Sequence, residues 1–465
     1  MASAFFEIGN TFVTIALLFL FLKRSFSLPE KTSAHVRHWI LFGCVFNFYS
    51  FLWLYTAYPL PWMGEGLLQF FGIVTLHCIL TIVAGVSFCV VGLPTMRVVS
   101  KKYRATLAPY LFASALTLAE IIRSLLVTLL YQGKGTTVAL HFTAGTTGNA
   151  LSSTPLVEFA YFGGVFSLTF ILGLLVYVWA QKESLRRRLY VSVAILVLLA
   201  IIHTVIPVAR PVEALSLGTI ITSFKTVEVG DVTNGYKKQT PTVSHLVASF
   251  PTSTSIIVFP EDTRYLSSLT EKEGAQLFHN FPNTLFIDGD VLRTEKGFVN
   301  SSLFYYQEKG ERKKAFRGKE LLLPFNEYIP TFFMHLFSLF IPSSRLEEYR
   351  LHHEYTPVHS GKTFLFGSTR IGTLICSEIL SYSVISRLHK EAPSIVFFQS
   401  YLNVFHNNPL FVMHLRSFSK VAAAQLRTPF VGVVNGAPSY IISPYGKILK
   451  ETPVGFGTTS SLLTP

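Results

Sequence analysis

The feature that most constrains this sequence is a series of apolar stretches, each near the roughly 20 residues an α-helix needs to cross a hydrocarbon core about 30 Å thick. Six are read: Phe5 to Leu22, Trp39 to Leu60, Leu67 to Val91, Ala105 to Tyr131, Phe159 to Ala180 and Leu189 to Val208. They occupy the first half of the chain and predict a membrane-embedded helical bundle. The first carries Glu7 and Asn10, but no basic segment precedes it and no small-residue cleavage site follows, so it reads as a span rather than a signal peptide. Hydrophobic residues make up 50% of the sequence and charged residues 14%, a balance outside the range of ordinary soluble enzymes.

Basic residues crowd into alternate loops. Lys23, Arg24, Lys31 and Arg37 follow the first span, Arg97, Lys101, Lys102 and Arg104 the third, and Lys182 and Arg186 to Arg188 the fifth. The bias places these loops in the cytoplasm, and the N-terminus and everything after the sixth span on the outer side. The net charge of +13 is then topological bias and attraction to anionic lipid, and no nucleic-acid partner is expected.

Beyond about Arg210 the texture changes to short β-rich runs between helical stretches, so the chain divides into a helical bundle over 1–210 and an α/β unit over 211–465. Strands are predicted at Ile256 to Phe259, Thr284 to Ile287, Ser302 to Tyr306, Thr363 to Phe366, Gly372 to Cys376, Ser394 to Phe398 and Phe430 to Val434. A hairpin of Ser439 to Ser443 and Ile448 to Lys450 turns at Pro444-Tyr445-Gly446. The segment Thr331 to Phe340 is apolar around most of a helix, which fits burial in the core or a flap dipping into a bilayer interface.

Of the four cysteines, Cys44, Cys78 and Cys89 fall in predicted spans and Cys376 alone in the second half, where it has no disulfide partner. Cys376 ends a predicted strand, and Ser377-Glu378-Ile379-Leu380 looks like the start of a helix, whose positive end and backbone N–H groups favour a thiolate and an oxyanion. A thiol of ordinary pKa, about 8.5, needs a base or a neighbouring cation to react. Glu261 follows the strand Ile256 to Phe259 and Pro260. Lys319 opens a run that continues through Leu322, Pro324, Phe325, Glu327, Tyr328 and Pro330. At ~4 Å and an effective dielectric of ~20, a lysine is worth ~4 kcal/mol to a thiolate or oxyanion.

Phe259-Pro260-Glu261, then Lys319-x-x-Leu322-x-Pro324-Phe325-x-Glu327-Tyr328-x-Pro330, then Leu374-Ile375-Cys376-Ser377-Glu378 resembles the Glu-Lys-Cys triad of the carbon–nitrogen hydrolase (nitrilase) superfamily. With the apolar first half, the pattern is similar to the apolipoprotein N-acyltransferase family within it. The resemblance implies a membrane α-helical bundle joined to a nitrilase-type αββα sandwich. It implies ping-pong acyl transfer from a phospholipid to the amine of a diacylated lipoprotein, with Glu261 as base, Cys376 as nucleophile, and Lys319 and the backbone near Ser377 holding the oxyanion. Glu327 and Glu378 then orient Lys319 or tune its charge. It further implies a multi-pass protein of the bacterial inner membrane, its catalytic unit on the periplasmic side, without metal or cofactor.

In the first half, Trp53-Leu54-Tyr55 resembles the family's aromatic second-helix region and Glu120-Ile121-Ile122-Arg123 its Glu-x-x-Arg pair, which fits a structural ion pair or a contact to lipid head groups. The sequence departs from the family at Ser377, where tyrosine is usual, and over Gln399 to Phe405, which replaces an Asn-Asp-x-Trp-Phe-Gly stretch. It is also expected to have one helix fewer at each end. Gly361-Lys362-Thr363 lacks the upstream glycine of a phosphate loop, and His352, His353 and His359 lack the helical spacing of a zinc protease, which leaves them as surface or head-group contacts. A membrane-anchored amidase or nitrilase uses the same triad with water as acceptor, and a non-catalytic lipid-binding or transport protein is the alternative outside enzymes.

Overall fold

The computed structural model describes residues 2–28, 32–56, 67–99, 107–133, 135–181, 185–209, 214–224, 232–295, 297–402, 405 and 408–463. Lys31, Lys101, Lys102, Arg104, Lys134 and Lys182 lie outside the described residues, as do the side chains of Arg97, His352 and His353.

The first half forms α1 (Ala2–Ser27), α2 (Thr32–Ser50), α3 (Leu67–Val99), α4 (Ala108–Leu130), α5 (Ala160–Ala180) and α6 (Leu185–Val205). Five stretches among the described residues are long and apolar enough to cross a membrane: Glu7–Ser27, Gln69–Gly92, Ala108–Leu130, Pro155–Ala180 and Leu185–Val205. The expected span Trp39 to Leu60 differs: α2 begins seven residues earlier and stops at Ser50, and Leu52–Thr56 is a 3-10 turn. The displacement brings Arg37 and two histidines into α2 and dilutes its apolar character. On α6 only Ile195 and Ile202 are buried, while Leu189, Val193, Leu196 and Val205 face outward. A helix apolar all round with one thin buried seam is stable with lipid against its remaining faces.

The second half contains β1 (Leu215–Ile221), α7 (Val232–Ala248), β2 (Ile256–Val258), α8 (Tyr265–Ser268), α9 (Glu271–Asn280), β3 (Leu285–Thr294), β4 (Gly297–Glu308) and β5 (Glu311–Gly318). They are followed by α10 (Thr331–Phe337), α11 (Ser343–His353), β6 (Thr363–Phe366), β7 (Thr369–Ile375), α12 (Tyr382–Lys390), β8 (Ile395–Tyr401), α13 (Pro409–Leu426), β9 (Phe430–Asn435), β10 (Ser439–Ile442), β11 (Ile448–Thr452) and β12 (Gly457–Leu463). They make two six-stranded sheets, ordered β12-β1-β2-β3-β4-β5 and β11-β10-β9-β8-β7-β6. Each has a parallel centre, β1-β2-β3 in one and β7-β8-β9 in the other, with antiparallel strands outside.

Strict alternation along the central strands decides the layering. In β8, Ile395 and Phe397 join the cluster between the sheets, and Val396 and Phe398 turn to the helices behind. In β2, Ile256 and Val258 face the second sheet while Ile257 and Phe259 pack with Val243, Val247 and Phe278 of α7 and α9. Alternating fully apolar strands thus need cover on both faces, and the result is the expected αββα sandwich beside a helical bundle.

Buried charges and backbone bonds join the two halves. Glu7 of α1 accepts from Arg416 Nε at 2.9 Å and Lys420 Nζ at 2.6 Å, both on α13. Glu158 accepts from Arg427 Nη1 at 2.7 Å. The Thr143 amide donates to Leu380 O at 2.9 Å. At Gly164 α5 breaks with φ +57°, a conformation that favours glycine, and an added Cβ would lie 2.8 Å from the Tyr382 ring. The apolar segment Thr331 to Phe340 divides: Phe333 is buried against Tyr131, Phe325 and Phe337, whereas Phe332, Leu339 and Phe340 are at least half exposed. Burial in the core thus holds for one face of the segment, and the other face is open.

Candidate active site

Three chain segments deliver Glu261, Lys319 and Cys376 to one buried place. Glu261 follows β2 on a loop laid directly over β3, where a Cβ at Gly289 would come within 2.7 Å of the Glu261 Cα. Lys319 follows β5, its amide bonded to Asn300 O at 2.7 Å. Cys376 follows β7 with φ +47°, a left-handed conformation that costs a non-glycine residue about 1–3 kcal/mol and marks a position held by its surroundings.

Lys319 Nζ, 1% exposed, donates to Glu327 Oε1 at 2.9 Å and Glu261 Oε1 at 3.3 Å. Glu327 reaches back because the segment after Lys319 folds on itself, with Phe325 N bonded to Tyr328 O at 2.7 Å and Leu323 N to Glu327 Oε2 at 2.6 Å. Asn300 of β4 donates from Nδ2 to Glu261 at 2.8 Å and to Glu327 at 2.9 Å. The other oxygen of Glu261 accepts from the Tyr401 amide at 2.9 Å, at the end of β8.

Burial works against the Lys319 ammonium, yet Cys376, Glu261 and Glu327 together hold its pKa well above the usual lysine value. Burial raises the Glu261 carboxyl, with Lys319 opposing and Glu327 adding to the rise. Burial and then Glu261 push the Cys376 thiol up to about 12, against the pull of Lys319. The resting thiol is therefore protonated at neutral pH, and its proton must be accepted during reaction.

The supporting residues differ in what they touch. Glu327 meets Lys319 as expected, but Glu378 does not: its Oε1 accepts from Lys362 Nζ at 2.5 Å and the Glu320 amide at 2.7 Å, and its Oε2 from the Ile375 amide at 2.9 Å. It therefore ties the residue after Lys319 to the residue before Cys376. The Ser377 hydroxyl donates to Leu321 O at 2.5 Å. Ser377-Glu378-Ile379-Leu380 belongs to a 3-10 turn, Cys376–Leu380, and the α-helix starts only at Tyr382, where the Ser381 hydroxyl accepts from Val384 N and caps it. Away from this cluster, His359 contacts Glu320 and Gly135 O. Glu120 accepts from Thr147 N and Thr169 Oγ1, and Arg123 donates to Ala144 O, so each holds a loop or neighbouring helix.

Beside Cys376 lies a narrow apolar cavity lined by Trp53, Leu323, Ile379, Leu380, Leu402, Phe405, Phe411 and Leu415, with Ser377 and Ser400. Trp53 comes from the helical half and packs at 4.8 Å on Phe411, which stacks on Phe405 at 4.1 Å. Asn300, Lys362 and Ser400 are the neighbours that sequence reading left unassigned. Asn300 had a signal, an amide within a strand directly after Phe298-Val299, as did Lys362, a cation just before a strand.

A buried Glu-Lys-Cys cluster at the strand ends of an αββα sandwich is the arrangement that the motifs led one to expect of carbon–nitrogen hydrolases. Solved structures to which this chain is similar include Nit3 of Saccharomyces cerevisiae, a nitrilase-superfamily member, at 13% identity and a TM-score of 0.39 over 54% of this chain and 91% of that one. A carbon–nitrogen hydrolase from Helicobacter pylori G27 is similar at 11% identity and a TM-score of 0.36, over 54% of this chain and 89% of that chain. No family model matches. The chain is also similar to an apolipoprotein N-acyltransferase of Aquifex aeolicus (strain VF5), 26% identical over 210 residues, which span 45% of this chain and 44% of that relative's length.

Proposed function

We propose that this chain is an N-acyltransferase that moves a fatty acyl group from a phospholipid to the N-terminal amine of a diacylglyceryl-cysteine lipoprotein, through a thioester on Cys376. The observation that carries this reading is the apolar cavity at Cys376, whose wall includes Trp53 of the helical half. A hydrolase of small polar amides has no use for such a wall. A fatty chain does, since about 15 methylenes crossing water would cost ~12 kcal/mol at ~0.8 each.

Glu261 takes the Cys376 proton as Sγ attacks the ester carbonyl, and Lys319 with the backbone near Ser377 faces the oxyanion. Collapse breaks the ester C–O bond, the leaving alkoxide receives the proton from Glu261, and lysophospholipid departs. The acceptor amine then attacks the thioester, Glu261 accepts its proton, and the thiolate leaves as the amide forms. Glu327 and Asn300 hold Lys319 and Glu261 in register. Residues 1–210 are assigned to the bacterial inner membrane and 211–465 to the periplasmic side, where the acceptor is met.

The test is intact-protein mass spectrometry of the detergent-purified chain after incubation with phospholipid. A hydroxylamine-sensitive acyl adduct on the parent and none on Cys376→Ala is expected, discharged onto a diacylated lipopeptide to give an amide. Discharge to free fatty acid at the same rate with and without lipopeptide would make the chain a hydrolase. No adduct, with Cys376 reduced and lipid bound, would sink the thioester.

A further inference from the structure

Three consecutive residues at the end of β8 reach three different parts of the site. Gln399 Nε2 donates to Phe259 O at 2.7 Å, fixing the strand that leads to Glu261, and its Oε1 accepts from Ser302 Oγ at 2.5 Å. Tyr401 N donates to the Glu261 carboxylate. Between them Ser400, 0% exposed, points to the opposite face of the sheet, because side chains alternate along a strand. That face carries Val396 and Phe398, and it borders the cavity that Ser400 shares with Cys376, Phe411 and Leu415.

The Ser400 hydroxyl and Cys376 line the same narrow cavity, where the hydroxyl favours the thiolate. In the resting structure it has no hydrogen-bond partner among the described residues. A buried hydroxyl left unpaired costs stability, and alanine or valine would fill an apolar cavity wall without that cost. Nothing structural is gained from an oxygen there. The cavity it lines also holds the Cys376 sulfur, which acquires negative charge during the reaction.

We propose that Ser400 is a catalytic residue whose hydroxyl donates a hydrogen bond to the Cys376 sulfur as the thiolate forms, and again when the sulfur leaves the thioester. The proposal deepens the acyl-transfer reading and rests on it for the second step. The proton of Cys376 still goes to Glu261, and Ser400 keeps its own. Burial in an apolar wall strongly opposes the thiolate, so one donor aimed at the sulfur has a large effect.

The experiment uses the full chain in detergent as parent, Ser400→Ala and Ser400→Thr, the last keeping a hydroxyl in a residue suited to a strand. Two rates are followed: alkylation of the Cys376 peptide by iodoacetamide against pH, and acyl-adduct formation from phospholipid. A hydrogen bond to a charged group predicts that Ser400→Ala slows alkylation roughly 10- to 100-fold at a given pH, moving the profile up by about one to two units, with Ser400→Thr close to the parent. A merely structural serine would leave the profile in place. Superimposed parent and Ser400→Ala profiles overturn the proposal. A parent that forms no acyl adduct while Ser400→Ala still shifts alkylation sinks the acyl-transfer reading and upholds Ser400 as the thiolate's donor.

Discussion

Lys319 Nζ lies nearer to Glu327 Oε1, at 2.9 Å, than to Glu261 Oε1, at 3.3 Å. The buried lysine is thus shared between two carboxylates, with its shorter hydrogen bond on Glu327 rather than on the proposed base. Glu327 also opposes charge on Cys376. Glu327→Gln is therefore expected to split two readouts. Acyl-adduct formation falls about 10- to 100-fold as Lys319 loses its nearest partner. Iodoacetamide alkylation of Cys376 shifts to lower pH, because a negative charge beside the thiolate has gone. Parallel falls in both rates would contradict this division.

The pH dependence follows from Glu261. Its pKa is raised by burial, with Lys319 opposing, and only the ionised form accepts a proton. Acyl-adduct formation should therefore fall as pH drops through that raised value, at higher pH than an ordinary carboxylate of about 4.3 would give. Glu261→Gln should abolish the acid limb together with most of the rate. Pre-steady-state adduct formation between pH 4 and 9 measures both. An acid limb at ordinary carboxylate pH would remove Glu261 as base.

Much of the site was legible because motif residues close a strand or open a loop, and alternating apolar runs gave the central strands nearly in place. β8, β9 and β6 match their expected positions to within a few residues. β5, Glu-Arg-Lys-Lys-Ala-Phe-Arg-Gly, was missed because it is a sheet edge whose residues face solvent, so charge replaces apolar alternation. β12 is likewise an edge, rich in threonine and serine. Glu378 was misassigned because its spacing from Cys376 says nothing about Lys362, 16 residues before Glu378 itself, whose cation it takes. Ser400 was hidden in a stretch recognised only as a departure from the family's pattern.

Asp288 offers a test of burial away from the chemistry. Its Oδ2 accepts from Leu266 N at 2.8 Å, Oδ1 is buried without a partner among the described residues, and burial raises its pKa well above the ordinary value. A carboxyl whose folded pKa is raised binds its proton more tightly when folded, so its contribution to stability falls as pH rises above the unfolded value near 3.9. Asp288→Asn keeps the acceptor oxygen and removes the ionisation. Its melting temperature should exceed the parent's at pH 8, and the difference should vanish near pH 3. A variant less stable at pH 8 would show that the ionised carboxylate is paired.

Glu7 is predicted to be a structural pin between the halves. Removing it leaves Arg416 and Lys420 buried with one carboxylate fewer, and breaking such a group typically costs about 3–5 kcal/mol. Glu7→Ala should lower the melting temperature of the detergent-purified chain by several degrees, and adding Lys420→Met should recover part of the loss. Equal losses in the single and double variants would mean that α1 docks on α13 through its apolar contacts alone.

The cavity makes the sharpest claim about substrate. Leu415 of α13 lines it together with Ser400 and the aromatic residues Phe405 and Phe411. Leu415→Trp fills space that a fatty chain would occupy while touching none of Glu261, Lys319 or Cys376. If the acyl chain lies there, adduct formation from long-chain phospholipid should fall at least tenfold, as expected when an added ring must displace several methylenes from a tightly packed wall. Donors with short acyl chains should lose far less, and iodoacetamide alkylation of Cys376 should be nearly unchanged, since that reagent needs only the thiol. Equal losses for long and short donors would place the chain elsewhere, and the aromatic wall of Trp53, Phe405 and Phe411 would then be packing between the two halves rather than a lipid path.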